Sequence, residues 1–242
     1  MNIASALNAL HNPTGQNHIS LFYDSSAQRL QFLGNYLQVG FERNELCVVV
    51  SHASQKELIA DLKSVGLDVA KQIRQKDLRV FNARKTYLTG DSFVVEYMLN
   101  NVINFTNDAR AQGYNGLRTA GEMNWLTEQP HAHDDAATYE SEVNGIKAQS
   151  FTGLCLYPID SSSVQAIKSA VRTHPDFAYK NTLHHNPYYF EPHEYAEVQK
   201  NNLQRNASLW LNNLEEFEQK HSPRTVELSD QAIKKVLLSA GH

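Results

Sequence analysis

The apolar residues of this chain follow two alternating rhythms. Short, almost unbroken apolar runs read as strands: His18–Tyr23, Leu46–Ser51, Leu78–Phe81, Gly116–Ala120 and Phe151–Tyr157. The run at 46–51 is β-branched with hardly a polar break, as in a strand buried on both faces. Between these runs the apolar positions return about every 3.6 residues. Leu30, Leu33, Leu37 and Phe41 form one such stripe behind the capping residues Asp24, Ser25 and Ser26. Leu58, Ile59 and Leu62 form a second between Ser54 and Gly66, and Val95, Leu99, Val102 and Thr106 mark a long helix that ends before Gly113. Strands separated by helices imply right-handed crossovers, so the pattern predicts an α/β fold with a mainly parallel sheet flanked by helices.

The rhythm changes after residue 190. Leu203, Ala207, Trp210, Leu214 and Phe217 lie along one face of a single long helix, Ser222-Pro223 breaks it, and a short helix around 233–238 follows. This predicts an α/β domain over 1–190 and a helical extension over 191–242. The stripe is too apolar to face water along its length, which points to a homodimer through the C-terminal helix, the alternative being that the stripe packs back on its own sheet domain. No internal repeat is evident.

Composition narrows the function. Among 242 residues, 22 are Lys or Arg and 26 Asp or Glu, a net charge of −4. There is no basic surplus to neutralise phosphates, so nucleic-acid binding is not expected. No apolar run approaches the ~20 residues that cross a bilayer. The first 17 residues lack the basic start and apolar stretch of a signal peptide. Cys47 and Cys155 both fall inside strand-like runs. The expectation is a cytoplasmic protein with two reduced, buried thiols and no membrane partner.

The order of strand, helix, Gly40–Val50, helix and Gly66-Leu-Asp68 is similar to the opening of RecA-like ATPases of the circadian-clock type. In those proteins a loop after the first strand cradles phosphates with glycines and a lysine. Here the turn from Tyr23 to Leu30 contains neither, and Asp24 would repel a phosphate. Nucleotide hydrolysis is not expected.

Within that scaffold the chain resembles the MEDS family, a prokaryotic sensory domain of methanogens and methylotrophs. The resemblance runs from about residue 18 to residue 189. It rests on His18–Tyr23, Gly40–Val50, Leu117–Trp125, Tyr139–Asn144, Leu154–Tyr157, Arg172–Pro175 and Asn186–Tyr189, seven pieces in order. It implies a degenerate RecA-like scaffold that senses a small organic ligand of the hydrocarbon-derivative type. It also implies a signalling output, a kinase or transcription regulator, which for this chain would be a separate protein. The competing readings are a divergent RecA-like nucleotide binder and a pure protein-interaction module.

Ligands of parallel α/β sheets collect at the carboxyl ends of the strands. That places Tyr23, Asp24, His52, Glu122, Trp125 and Tyr157 as candidate ligand-binding residues. Cys155 joins them, two residues before Tyr157 and on the same face. His18 opens the first strand, about 16 Å from Tyr23 at 3.3 Å per residue, and reads as a structural hydrogen-bonding residue. His131-Ala-His133 with Asp134 and Asp135 is metal-like, but the other donors, Asp134, Asp135, His174, His184 and His185, show no telling spacing. It reads as a solvated loop whose aspartate caps the next helix. No metal, cofactor or catalytic residue is expected, and there is no Gly-x-Ser-x-Gly elbow.

Overall fold

A computed structural model describes residues 17–146, 151–180 and 182–200. In chain order its first half contains β1 (Asn17–Tyr23), α1 (Ser26–Glu42), β2 (Glu45–Ser51), α2 (Gln55–Ser64), α3 (Ala70–Gln75), β3 (Leu78–Asn82), α4 (Ala83–Tyr87), β4 (Leu88–Thr89) and β5 (Ser92–Phe93). Then come α5 (Val95–Ala111), β6 (Gly116–Glu122), α6 (Trp125–Glu128), α7 (His133–Glu142), β7 (Phe151–Pro158), α8 (Val164–Thr173), β8 (Asp176–Tyr179), β9 (Thr182–His185) and α9 (Pro192–Lys200). All five apolar runs are strands. They lie in one seven-stranded sheet ordered β3-β2-β6-β7-β1-β8-β9. Every pairing in it is parallel except β9 against β8. Strands β4 and β5 form a separate hairpin.

Local chemistry sets the helix ends. The Ser25 hydroxyl accepts from Gln28 N and starts α1. Ser54 and Glu57 form a reciprocal capping box on α2, and Gly66 beyond it has φ 92°, the left-handed conformation that favours glycine. Ser163 caps α8 by accepting from Ala166 N.

Alternation along the strands divides the core in two. One face of the sheet carries Ile19, Leu21, Cys47, Val49, Leu154 and Leu156, which pack with Phe32, Leu33, Tyr36 and Leu37 of α1 and Leu58 and Leu62 of α2. On this face Arg118, 2% exposed, donates from Nε to Glu45 Oε2 at 2.5 Å, and its guanidinium lies 4.5 Å from the centre of the Tyr36 ring. The opposite face carries Val48, Val50, Leu117, Phe151, Cys155 and Tyr157 under α4, α5, α7 and α8. Strand residues there include Gly121 and Gly153, and the small floor they leave shapes the site described below.

The described residues through Pro192 form one compact unit, and α9 from His193 onward belongs to a second. The stripe from Leu203 to Phe217, and with it the expected homodimer contact, lies outside the described residues. Among the described residues no helix is long and apolar enough to cross a membrane.

Candidate functional site

A cavity of about 500 Å³ lies between the sheet and the helices α4, α5 and α7. Its walls are mainly apolar: Val48, Val50, Met98, Val102, Phe105 and Phe151. Phe81 and Tyr97 also line it and are 36% and 48% exposed, which marks its open side. Glycines make the room. A methyl at Gly121 would collide with the Tyr87 hydroxyl, and one at Gly153 would sit 3.2 Å from His18 Cδ2. The inner end is polar and is formed by His18, Glu140 and Cys155.

Those three residues, with His174 behind them, bring four donor atoms to within 4.8 Å of one another. His18 Nε2 lies 3.0 Å from Glu140 Oε2 and 3.5 Å from Cys155 Sγ. The Cys155 thiol donates to Glu140 Oε2 at 3.4 Å, and His174 Nε2 lies 3.4 Å from the same oxygen. The two imidazole rings stack with centroids 3.9 Å apart. All four side chains are buried.

Their neighbours decide which way each ring points. Asn144 Nδ2 donates to the carbonyls of Glu140 (2.9 Å) and Thr173 (2.7 Å), so its Oδ1 must be the atom 3.1 Å from His18 Nδ1. An amide oxygen only accepts, and therefore His18 Nδ1 carries a proton. His174 Nδ1 lies 2.9 Å from the Ala170 carbonyl and carries one for the same reason. The Asn186 amide nitrogen donates to the His174 carbonyl at 2.7 Å and holds that loop. Both Nε2 atoms thus face the carboxylate and the thiol.

The electrostatics follow from burial. Burial alone would raise the Glu140 carboxyl, but hydrogen bonds and charge from His174 and His18, wherever these rings carry a proton on Nε2, outweigh it and hold it at about 2. Burial, with His18 alongside, pushes His174 down to about 4 against the pull of Glu140. Burial and the Glu140 charge push the Cys155 thiol well up, so it is a thiol and not a thiolate at neutral pH.

The profile of the MEDS family, "MEthanogen/methylotroph, DcmR Sensory domain", matches residues 17–175. The chain belongs to the MEDS family. It is also similar to the transcriptional repressor DcmR of Methylorubrum extorquens (strain DSM 6343 / CIP 106787 / DM4), 26% identical over 169 residues. That stretch is 69% of this chain and spans 60% of the repressor's length. Among solved structures, a KaiC-like protein, PH0186 from Pyrococcus horikoshii OT3, aligns over 66% of this chain and 70% of its own, with 13% identity and a TM-score of 0.49.

In this MEDS domain four of the seven candidate ligand-binding residues, Tyr23, Asp24, His52 and Glu122, gather at one edge of the sheet, and of the seven only Cys155 lines the cavity. Glu122 ends β6 on the α1 side of the sheet. It is tied to the Arg29 guanidinium and accepts from His52 N at 2.7 Å, so its carboxylate is spent on joining α1 and the loop after β2 to the sheet edge. Tyr23 lies beside that pair, its phenol raised to about 12 by burial and by Glu122 against Arg29. Asp24 and His52 are exposed near this edge. Trp125 is buried, stacked between Tyr87 at 5.1 Å and Phe93 at 5.2 Å, which makes it part of the core. Tyr157 is 2% exposed and packs edge-on against His174 at 6.0 Å.

The metal-like string also differs from its expected solvated loop. Pro130–Ala132 is a 3-10 turn that runs straight into α7, with no side-chain cap, and His133 is buried at the helix start. His133 Nε2 is 3.3 Å from the Ser163 hydroxyl, and burial lowers its pKa. It is not part of the four-residue cluster. Of that cluster, sequence reasoning did not pick out Glu140 and named His174 only as a possible further donor to the His131–His133 string. Glu140 lay inside the family-like piece 139–144, and His174 inside 172–175, without a spacing rule to join them to His18 and Cys155.

Proposed function

We propose that this MEDS domain is a non-enzymatic sensor whose cavity takes up a small organic molecule of the hydrocarbon-derivative type. Occupancy is then relayed to a regulatory output protein. The observation that carries the reading is the cavity itself, in a domain of a sensory family. At about 500 Å³ it falls in the ~300–1,000 Å³ range of small-molecule sites. Apolar walls with one polar end suit a short carbon skeleton bearing a single polar or halogen substituent. The repressor relative supports a transcriptional output.

Nucleotide chemistry has little support from the residues. The turn between Tyr23 and Leu30 has no glycine or lysine, and the Arg29–Glu122 pair lies beside it. Native mass spectrometry of freshly purified protein tests for a retained small molecule. Calorimetric titration with short halogenated and oxygenated hydrocarbons, on wild type and Val102→Trp, then tests the location. Val102 lines the cavity, so the variant should keep the fold and lose binding. A filled cavity that binds as well as the open one would refute the assignment.

A further inference from the structure

We propose that His18, Glu140, Cys155 and His174 together hold a divalent transition-metal ion of the zinc class. The argument begins with hydrogen-bond polarity. Each imidazole donates Nδ1–H away from the cluster, His18 to an amide oxygen fixed by two backbone carbonyls and His174 to a backbone carbonyl. That outward donation is the usual support of a metal-bound histidine, because it turns the Nε2 lone pair toward the ion.

The second observation is an orphan atom. His174 Nε2 is fully buried and aligns with no hydrogen-bond partner, although it faces the Glu140 carboxylate 3.4 Å away. A bare lone pair against a carboxylate is repulsive, and a buried polar atom without a partner is costly. No lysine or arginine among the described residues pairs with Glu140. A cation between the two groups removes both problems.

The spacing fits. With metal bonds of about 2.0–2.1 Å to nitrogen or oxygen and about 2.3 Å to sulfur, a tetrahedral site has ligand–ligand edges of roughly 3.3–3.6 Å. Four of the six edges here measure 3.0, 3.4, 3.4 and 3.5 Å, and the remaining two are within 4.8 Å. Two neutral imidazoles, one carboxylate and one thiolate are a zinc-type donor set. Binding exchanges the thiol proton for the metal–sulfur bond: Cys155–SH and M²⁺ give Cys155–S–M and H⁺. With Glu140 and the thiolate each carrying one negative charge, the filled site is neutral, which suits its burial. Three of the four ligands line the cavity, so the ion forms part of its wall. The proposal does not depend on what the cavity holds.

The test uses the full chain without an affinity tag. After chelator treatment and dialysis it is titrated with Co²⁺ alone. One Co²⁺ should bind per chain, with an intense near-ultraviolet thiolate-to-cobalt band, visible bands of a four-coordinate site and release of a proton. Cys47→Ser should keep the near-ultraviolet band and Cys155→Ser should lose it. Asn144→Ala, which frees His18 from its partner, should weaken Co²⁺ affinity by about 10- to 100-fold. Folded wild-type protein that takes up no stoichiometric Co²⁺ would overturn the proposal, as would a thiolate band that survives in Cys155→Ser.

Discussion

Adding a single methyl at Gly121 probes the floor of the cavity directly. Gly121 lies on β6, and a Cβ built there overlaps the Tyr87 hydroxyl, while the next atom, Tyr87 Cζ, is 3.3 Å away. Tyr87 cannot swing aside at low cost, because it is 5% exposed and its ring is stacked on Trp125 at 5.1 Å with 19° between the planes. Overpacking of this kind costs about 1–3 kcal/mol. For a domain of this size each kcal/mol lowers Tm by roughly 2–4 °C, so Gly121→Ala should melt about 2–12 °C below wild type. The hydroxyl is the specific obstacle, and a contact near 3.3 Å to the ring is one the neighbour can absorb. Tyr87→Phe should therefore rescue much of the loss, with a double-mutant-cycle coupling of about 1 kcal/mol or more in urea melts. If Gly121→Ala is within 0.5 kcal/mol of wild type, or Tyr87→Phe gives no relief, the account of the floor is wrong.

Three further outcomes are expected. Chelator-treated protein should lose stability as pH falls. The His174 pKa of about 4 lies below its ordinary 6.5, so the unfolded chain takes up that proton first, and stability present above 6.5 drains away toward 4. Glu140, held at about 2 against an ordinary 4.5, extends the loss below pH 4.5; a urea midpoint that stays flat from pH 7.5 to 4.5 would contradict the His174 account, and one that stays flat below 4.5 the Glu140 account. Arg118→Met should destabilise by about 3–5 kcal/mol because Glu45 is left buried without its cation, and adding Glu45→Gln should recover part of that in denaturant melts. Turnover assays with magnesium should show no saturable ATP or GTP hydrolysis.

The fold was legible because its main strands are long, apolar and buried. The sequence Leu46–Ser51 has no other comfortable place than the inside of a sheet, and every residue of β2 is buried. By contrast β8 and β9 are four residues each, with most of β9 exposed, and no apolar run announces them. The site was less legible for a geometric reason. The rule that ligands gather at carboxyl strand ends directed attention to Glu122 and Tyr23, which lie on the α1 side of the sheet. The cavity opens on the other face, where Gly121 and Gly153 leave space that periodicity cannot register. His18 and Cys155 were both noticed and read singly. Their convergence with Glu140 and His174 depends on β1 lying between β7 and β8, an order that no local spacing encodes.

That placement of β1 also constrains how the protein is made. Strand β1, the earliest to leave the ribosome among the described strands, is paired on both sides by late ones, His18 beside Gly153 and Ile19 beside Asp176. At ~5–20 residues per second, translation needs on the order of ten seconds to supply those partners. Until then Ile19, Leu21 and Phe22 have an open backbone edge on each side. Closing the sheet demands contacts of very long range, the kind that slow folding. The nascent segment is thus a natural client for a chaperone, and a truncation before β8 would leave a strand with one edge permanently unpaired.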